Sequence, residues 1–298
     1  MADQAQKLRN IMDSSIKNCN NEVNNSRYKA EILSITSGKG GVGKTNFTIN
    51  LALSLRNLGY EVLVFDADIG LANVDVISGV IIKYTIADLL KDSKDIFEII
   101  TDGPNGIKII SGGSGLREIS LLSEVNFNRL LTEIEKLESH FDFIIIDTGA
   151  GISDTVLNFL MPSDEVILVT TPDPTSLTDG YALLKALAIY GYKGKLNVVV
   201  NMAKDRKEAE DVFHRLKTVA NKFIMVDLEY LGFLYYSNIV VNAVRNQKPF
   251  VISKPNSQLT QKINIMALSI TGRSKFSNKK IKKTFAQRLK EFLLREGE

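Results

Sequence analysis

At 298 residues, 44% hydrophobic and 24% charged, the chain has the length and composition of one large globular core. Its lone cysteine, Cys19, excludes an internal disulfide and any intrachain cysteine cluster for zinc or iron–sulfur, no apolar run approaches the ~18 residues that would cross a bilayer, and MADQAQKLRN has no apolar core behind its charges, so a cytoplasmic protein without a secretory leader is expected. The net charge of +3 is uneven: residues 271–298 hold nine Lys/Arg against three Glu, a local +6, which leaves the rest at −3 and places any attraction to anionic lipid or nucleic acid in the tail.

In chain order, residues 1–30 stand apart. A short helix is expected over residues 1–13, where Leu8, Ile11 and Met12 make a thin apolar edge. NCNNEVNNSR then reads as a linker, rich in asparagine and without apolar period. The core is expected over residues 31–270. EILSITS opens it as a strand, and the apolar runs EVLVFD, GIKIIS, FDFIIID, EVILVTT, LNVVVN and LEYLGFL follow. Between most of them lie segments of helical spacing, such as NFTINLALSLRNLG and FNRLLTEIEKLES. Continuous apolar strands alternating with helices predict an α/β fold, a three-layer, doubly wound and mostly parallel sheet covered on both faces. Residues 271–298 form a third unit. From about residue 278, Ile281, Phe285, Leu289, Phe292 and Leu293 fall on one helical stripe, with Lys283, Gln287, Lys290, Glu291 and Arg295 off it and Lys282 within it.

The sharpest signal is SGKGGVGKT, between the first strand and the helix that follows. Gly38 to Thr45 fits G-x-x-x-x-G-K-[ST]. Gly40, Gly41 and Gly43, with Val42 among them, let the backbone curl so that its N–H groups face a phosphate, and the helix starting near Gly43 adds its positive end. Lys44 supplies a point charge for the β- and γ-phosphates, Thr45 a hydroxyl for Mg²⁺, and Asn46 follows in the same turn. Two further strands end in carboxylates: EVLVFDADIG in Asp66 and Asp68, and FDFIIIDTGAGI in Asp147, where Gly149 and Gly151 would let the backbone follow a γ-phosphate.

GKGGVGKT carries a second lysine, Lys39, and resembles the deviant Walker motif of the MinD/ParA group, SIMIBI-class P-loop NTPases, over roughly residues 31–270. The resemblance implies an ATP- and Mg²⁺-dependent homodimer with slow, dimer-dependent hydrolysis, in which Lys39 reaches the partner's nucleotide as an arginine finger does. It implies that Asp68 orients or deprotonates the attacking water, that Asp66 sits near the Mg²⁺ shell, that Asp147 holds Mg²⁺ through water, and that Asn201 bonds adenine. NMAKD has one residue too many for the guanine signature N-K-x-D, so ATP is expected over GTP.

Within that group, the cluster-binding relatives carry cysteines in the body, the tyrosine kinases end in a tyrosine cluster that is missing after Tyr236, and the mildly acidic body disfavours a DNA-binding ParA type, so no specific nucleic acid is expected. MinD and FlhG (FleN, YlxH) remain. ADQAQKLR, with Asp3, Gln4, Leu8 and Arg9, resembles the element that opens FlhG proteins, and DTGAGI and TTPDPTSLTDGYALLK also lean that way. The FlhG resemblance implies stimulation of the FlhF GTPase, contact with flagellar basal-body and C-ring components, and control of flagellar number and placement. In the tail, Phe285, Leu289, Phe292 and Leu293 opposite basic residues fit a helix lying reversibly in the anionic inner membrane surface. The alternative is that the same stripe packs back onto the body. Competing functions are a MinD-type division-site ATPase, a ParA-type DNA-segregation ATPase and a scaffold in which ATP is structural.

Overall fold

The computed structural model describes residues 29–68, 73–91, 94–113, 124–274 and 283–295. Asp3, Gln4, Leu8 and Arg9, the expected N-terminal helix and Ile281 lie outside the described residues.

The apolar runs form strands because their side chains alternate between two buried faces. In chain order the elements are β1 (Glu31–Ser37), α1 (Lys44–Asn57), β2 (Val62–Ala67), α2 (Val74–Ser78), α3 (Ile86–Leu90), β3 (Thr101–Asp102), β4 (Lys108–Ser111), α4 (Glu124–Glu138), β5 (Phe143–Ala150) and α5 (Asp154–Leu160). There follow β6 (Glu165–Thr170), α6 (Pro174–Ile189), β7 (Lys195–Ala203), α7 (Arg206–Ile224), β8 (Glu229–Tyr235), α8 (Asn238–Arg245), α9 (Phe250–Ser253), α10 (Gln258–Ser274) and α11 (Phe285–Arg295). The strands make one eight-stranded sheet in the order β3-β4-β2-β5-β1-β6-β7-β8. Every pairing is parallel except that of β3 with β4.

The faces read directly from β1. Leu33 and Ile35 pack with Phe47, Leu51 and Leu55 of α1 and with Ile263, Met266 and Ile270 of α10. Ile32 turns the other way, to Phe65, Ile144, Ile146 and the α11 side chains Phe285 and Leu289. Beneath β6 and β7, Val166, Leu168, Val198 and Val200 meet Leu183 and Leu187 of α6 and Phe213 and Leu216 of α7. This is the three-layer, doubly wound P-loop fold expected, with β1 at its centre and the chain winding outward to both sides. That order brings the C-terminal ends of β2, β5, β1, β6 and β7 to one rim, where an open α/β sheet places its ligands.

The tail stripe is docked on the body. Phe285 and Leu289 are buried, and Phe292 stacks edge-on to Tyr190 with ring centroids 5.9 Å apart. The start of α11 is fixed by Glu138, whose carboxylate accepts from the backbone N–H groups of Phe285 at 3.1 Å and Ala286 at 3.2 Å. One turn on, Arg288 donates to Asp164 at 2.8 Å. An apolar helix stripe gains from leaving water against protein as well as against lipid, so the stripe alone could not tell the two apart.

Candidate nucleotide site

The phosphate loop is built by three local features. Gly41 and Gly43 hold φ of +78° and +91°, the left-handed region in which a side chain is strained. A Cβ at Gly43 would also overlap Asn201 Nδ2, and one at Gly38 would strike the backbone of Asp179 and Gly180 in α6, whereas one at Gly40 would meet no atom of the described residues within 4 Å. Gly38 is therefore small for the sake of packing on α6, a reason the motif alone does not give. No side chain caps α1 and no acidic residue sits in its first turn, so its leading N–H groups face the loop.

Lys44 opens α1 and is buried. Burial above all raises the Asp147 carboxyl above its ordinary range, while the Lys44 charge and hydrogen bonds from Thr45 and from Thr48 Oγ1 (2.9 Å) oppose the shift. Asp66 pairs in register with Asp147 on the neighbouring strand. Burial first, then the charge of Asp147, raise the Asp66 carboxyl to about 7, although the N–H groups of Asp68 and Val74 oppose the shift. Asp66 Oδ2 is buried and has no hydrogen-bond partner among the described residues. Asp68 stands over Gly149, its Oδ1 3.7 Å from where a Cβ there would lie. An orphaned carboxylate oxygen beside a second buried carboxylate and a threonine hydroxyl is a hard, oxygen-rich set that fits Mg²⁺.

Lys39 is placed differently. Its side chain is 44% exposed, and its Nζ lies 2.9 Å from Asp173 Oδ2 and 2.7 Å from Thr175 Oγ1. Asp173 is the N-cap of α6, with Pro174 at the first helical position, a start signal legible in DPT; its meeting with Lys39 was not. Asn201, expected on the base, donates from Nδ2 to the carbonyl of Val42 at 2.7 Å and accepts from the N–H of Met202 at 2.9 Å. The amide has a second N–H and a second lone pair to offer a base. Its first task here is to hold the loop. Met202 is left-handed at φ +58° and lines, with Lys39, Gly40, Gly41, Val42, Asp173 and Tyr236, a cleft of about 730 Å³. Sequence reasoning missed Thr48, Asp173, Thr175 and Tyr236 as parts of this site.

The site and fold have close counterparts. The family described as "ParA: NUBPL iron-transfer P-loop NTPase" matches residues 29–271. The antiactivator FleN of Pseudomonas aeruginosa is 36% identical over 245 residues, covering 82% of this chain and 88% of that protein. The flagellum site-determining protein YlxH of Helicobacter pylori is 40% identical over 268 residues, 90% of each chain. Among solved structures, MinD from Pyrococcus horikoshii in complex with Mg-ADP superposes with a TM-score of 0.66 at 25% identity, covering 84% of this chain and 100% of that one. The MinC:MinD complex of Aquifex aeolicus gives 0.68 at 24% identity over 86% and 99%. On the family match over residues 29–271 and the identity to FleN and YlxH across most of both chains, the chain belongs to the FlhG (FleN/YlxH) family of MinD-like P-loop ATPases.

Proposed function

We propose that this chain is an ATPase that dimerises with ATP, binds the membrane reversibly through α11, and regulates flagellar number and placement by stimulating the FlhF GTPase. The observation that carries the dimer is the contrast between the loop's two lysines. Lys44 is buried beside Asp147, as a nucleotide's own lysine should be, while Lys39 stands at the exposed mouth against the start of α6. Exposed Ile152, Met202 and Tyr236 support an apolar contact for a second copy.

In this reading Lys44 and the α1 N-terminus bind and orient the phosphates. Thr45, Asp66 and Asp147 would hold Mg²⁺, which when bound neutralises charge on the β- and γ-phosphates. Asp68 orients the attacking water and accepts its proton. Lys39 of the partner stabilises the charge that develops. Gly149 and Gly151 would let the chain respond to the γ-phosphate, so that hydrolysis releases the dimer. C-ring components are further partners in this reading.

Lys39→Ala tests it. Sedimentation with Mg²⁺ and a non-hydrolysable ATP analogue should give monomers, and turnover should fall by roughly 10²-fold or more; dimerisation and turnover equal to wild type would remove the mechanism. The FlhF step is read separately, by GTP hydrolysis of FlhF with the full chain added. Gln4→Ala should abolish the stimulation and leave ATP-dependent dimerisation intact.

A further inference from the structure

We infer that Ser37 is a positioning residue that couples the segment after Asp147 to the presentation of Lys39; the assignment rests on the dimer reading above. Ser37 is fully buried at the end of β1. Its hydroxyl donates to the carbonyl of Lys39 at 2.8 Å. Its own carbonyl accepts the N–H of Gly151 at 2.9 Å. One residue therefore holds both the base of the exposed lysine and the first residue beyond β5.

The strand register explains why the contact falls at Ser37. Ile35 lies opposite Asp147, but Ser37 lies opposite Ala150, so β5 carries one more residue than β1 across that step. A bulge re-aims the backbone that follows it. Here it turns the chain after Asp147 across the end of β1, where Gly151, at φ +89°, meets the Ser37 carbonyl. Lys39 is otherwise held on its far side, by Gly38 packed against the α6 backbone and by the Asp173 and Thr175 contacts of its ammonium.

The consequence is mechanical. A carbonyl and a hydroxyl on the same short residue cannot move independently when the side chain is enclosed. A displacement of Gly151 on gain or loss of a γ-phosphate draws on the Ser37 carbonyl. The hydroxyl then shifts the Lys39–Gly40 peptide, and with it the direction in which Lys39 leaves the loop. Ser37 thereby links the phosphate state of one site to the charge offered to the other. Ser37 touches no reacting atom, and its effect should fall on association rather than on binding of nucleotide to the monomer.

The experiment compares wild type, Ser37→Ala and Ser37→Thr as full-length chains. Dimerisation is measured by sedimentation equilibrium with Mg²⁺ and a non-hydrolysable ATP analogue, and monomer competence by titration with a fluorescent ADP derivative. Because a symmetric dimer loses the hydrogen bond twice, Ser37→Ala should weaken dimerisation by about tenfold or more while ADP affinity stays within roughly twofold. Ser37→Thr keeps the hydroxyl and should recover most of the loss. Wild type that dimerises beside an equally dimeric Ser37→Ala overturns the assignment. So does a Ser37→Ala chain whose ADP affinity falls as far as its dimerisation, the mark of a merely structural residue. Wild type that stays monomeric with the analogue defeats the dimer reading itself, a distinct result.

Discussion

Gly43 sits where three demands meet: a left-handed backbone, the start of α1, and the side chain of Asn201 across the loop. A methyl group there must both strain the backbone and displace the amide that holds the Val42 carbonyl. Left-handed strain alone costs about 1–3 kcal/mol. Gly43→Ala should therefore lower the melting temperature measurably and abolish binding of a fluorescent ATP analogue, because the nest and its tether fail together. Gly40→Ala is the control. Its Cβ meets no atom of the described residues within 4 Å, so the fold should keep its melting temperature, and any loss should appear only with nucleotide or partner present. Equal melting temperatures for the two variants would remove the tether from the account. The motif predicts glycine at both positions; only the structure separates their reasons, since Asn201 and Val42 are 159 residues apart.

At the scale of elements, α11 is the piece whose attachment is most clearly polar at one end. Glu138, Glu135 and Asp164 of the body face Thr284, the first N–H groups of the helix and Arg288. Burial raises the Glu138 carboxyl above its ordinary range, against the two N–H groups and the nearby charges of Lys29 and Arg288. A carboxyl with a raised pKa in the docked state binds its proton more tightly there than when released. Docking is thus strengthened as pH falls through the interval between the ordinary and the raised pKa, and weakened as pH rises through it. Glu138→Gln keeps one carbonyl acceptor but turns its NH2 toward the other helix N–H, so at neutral pH it should hold α11 less well than wild type and better than Glu138→Ala. Glu138→Ala leaves both N–H groups without this cap and should cost about 1 kcal/mol. Hydrogen exchange across residues 285–295 reads both variants: faster exchange in Glu138→Gln than in Glu138→Ala would contradict the burial argument.

Across the whole molecule, what local pattern can encode was legible, and what long-range pairing decides was not. The three isoleucines of β5 and the apolar run of β7 announce buried parallel strands, and Asp66 lies near the end of β2 as expected, but β5 runs on past Asp147 to Ala150, so Asp147 sits within its strand and not at its end. The contacts of Lys39 with Asp173 and of Ser37 with Gly151 join segments more than a hundred residues apart, and no periodicity reports them. The tail is legible as a helix with an apolar stripe that either lipid or the body could cover, and its docking on the body sets the terms for any membrane role. Phe285 and Leu289 cannot face lipid while they are buried against Phe65 and Ile144, so docking and membrane binding by this stripe exclude each other. Apparent lipid affinity is then the intrinsic affinity scaled by the released fraction. A change on the body that weakens docking without altering the tail should raise it by the same factor. Glu138→Ala is such a change, and about 1 kcal/mol predicts roughly fivefold tighter binding, provided the docked state dominates in wild type. Cosedimentation with phosphatidylglycerol vesicles, beside neutral phosphatidylcholine vesicles, measures it. The gain should appear on the anionic vesicles and shrink with salt, since the basic residues of the tail supply part of the attraction. Unchanged binding by Glu138→Ala, with exchange in α11 accelerated, would mean that the released helix is not what meets the lipid.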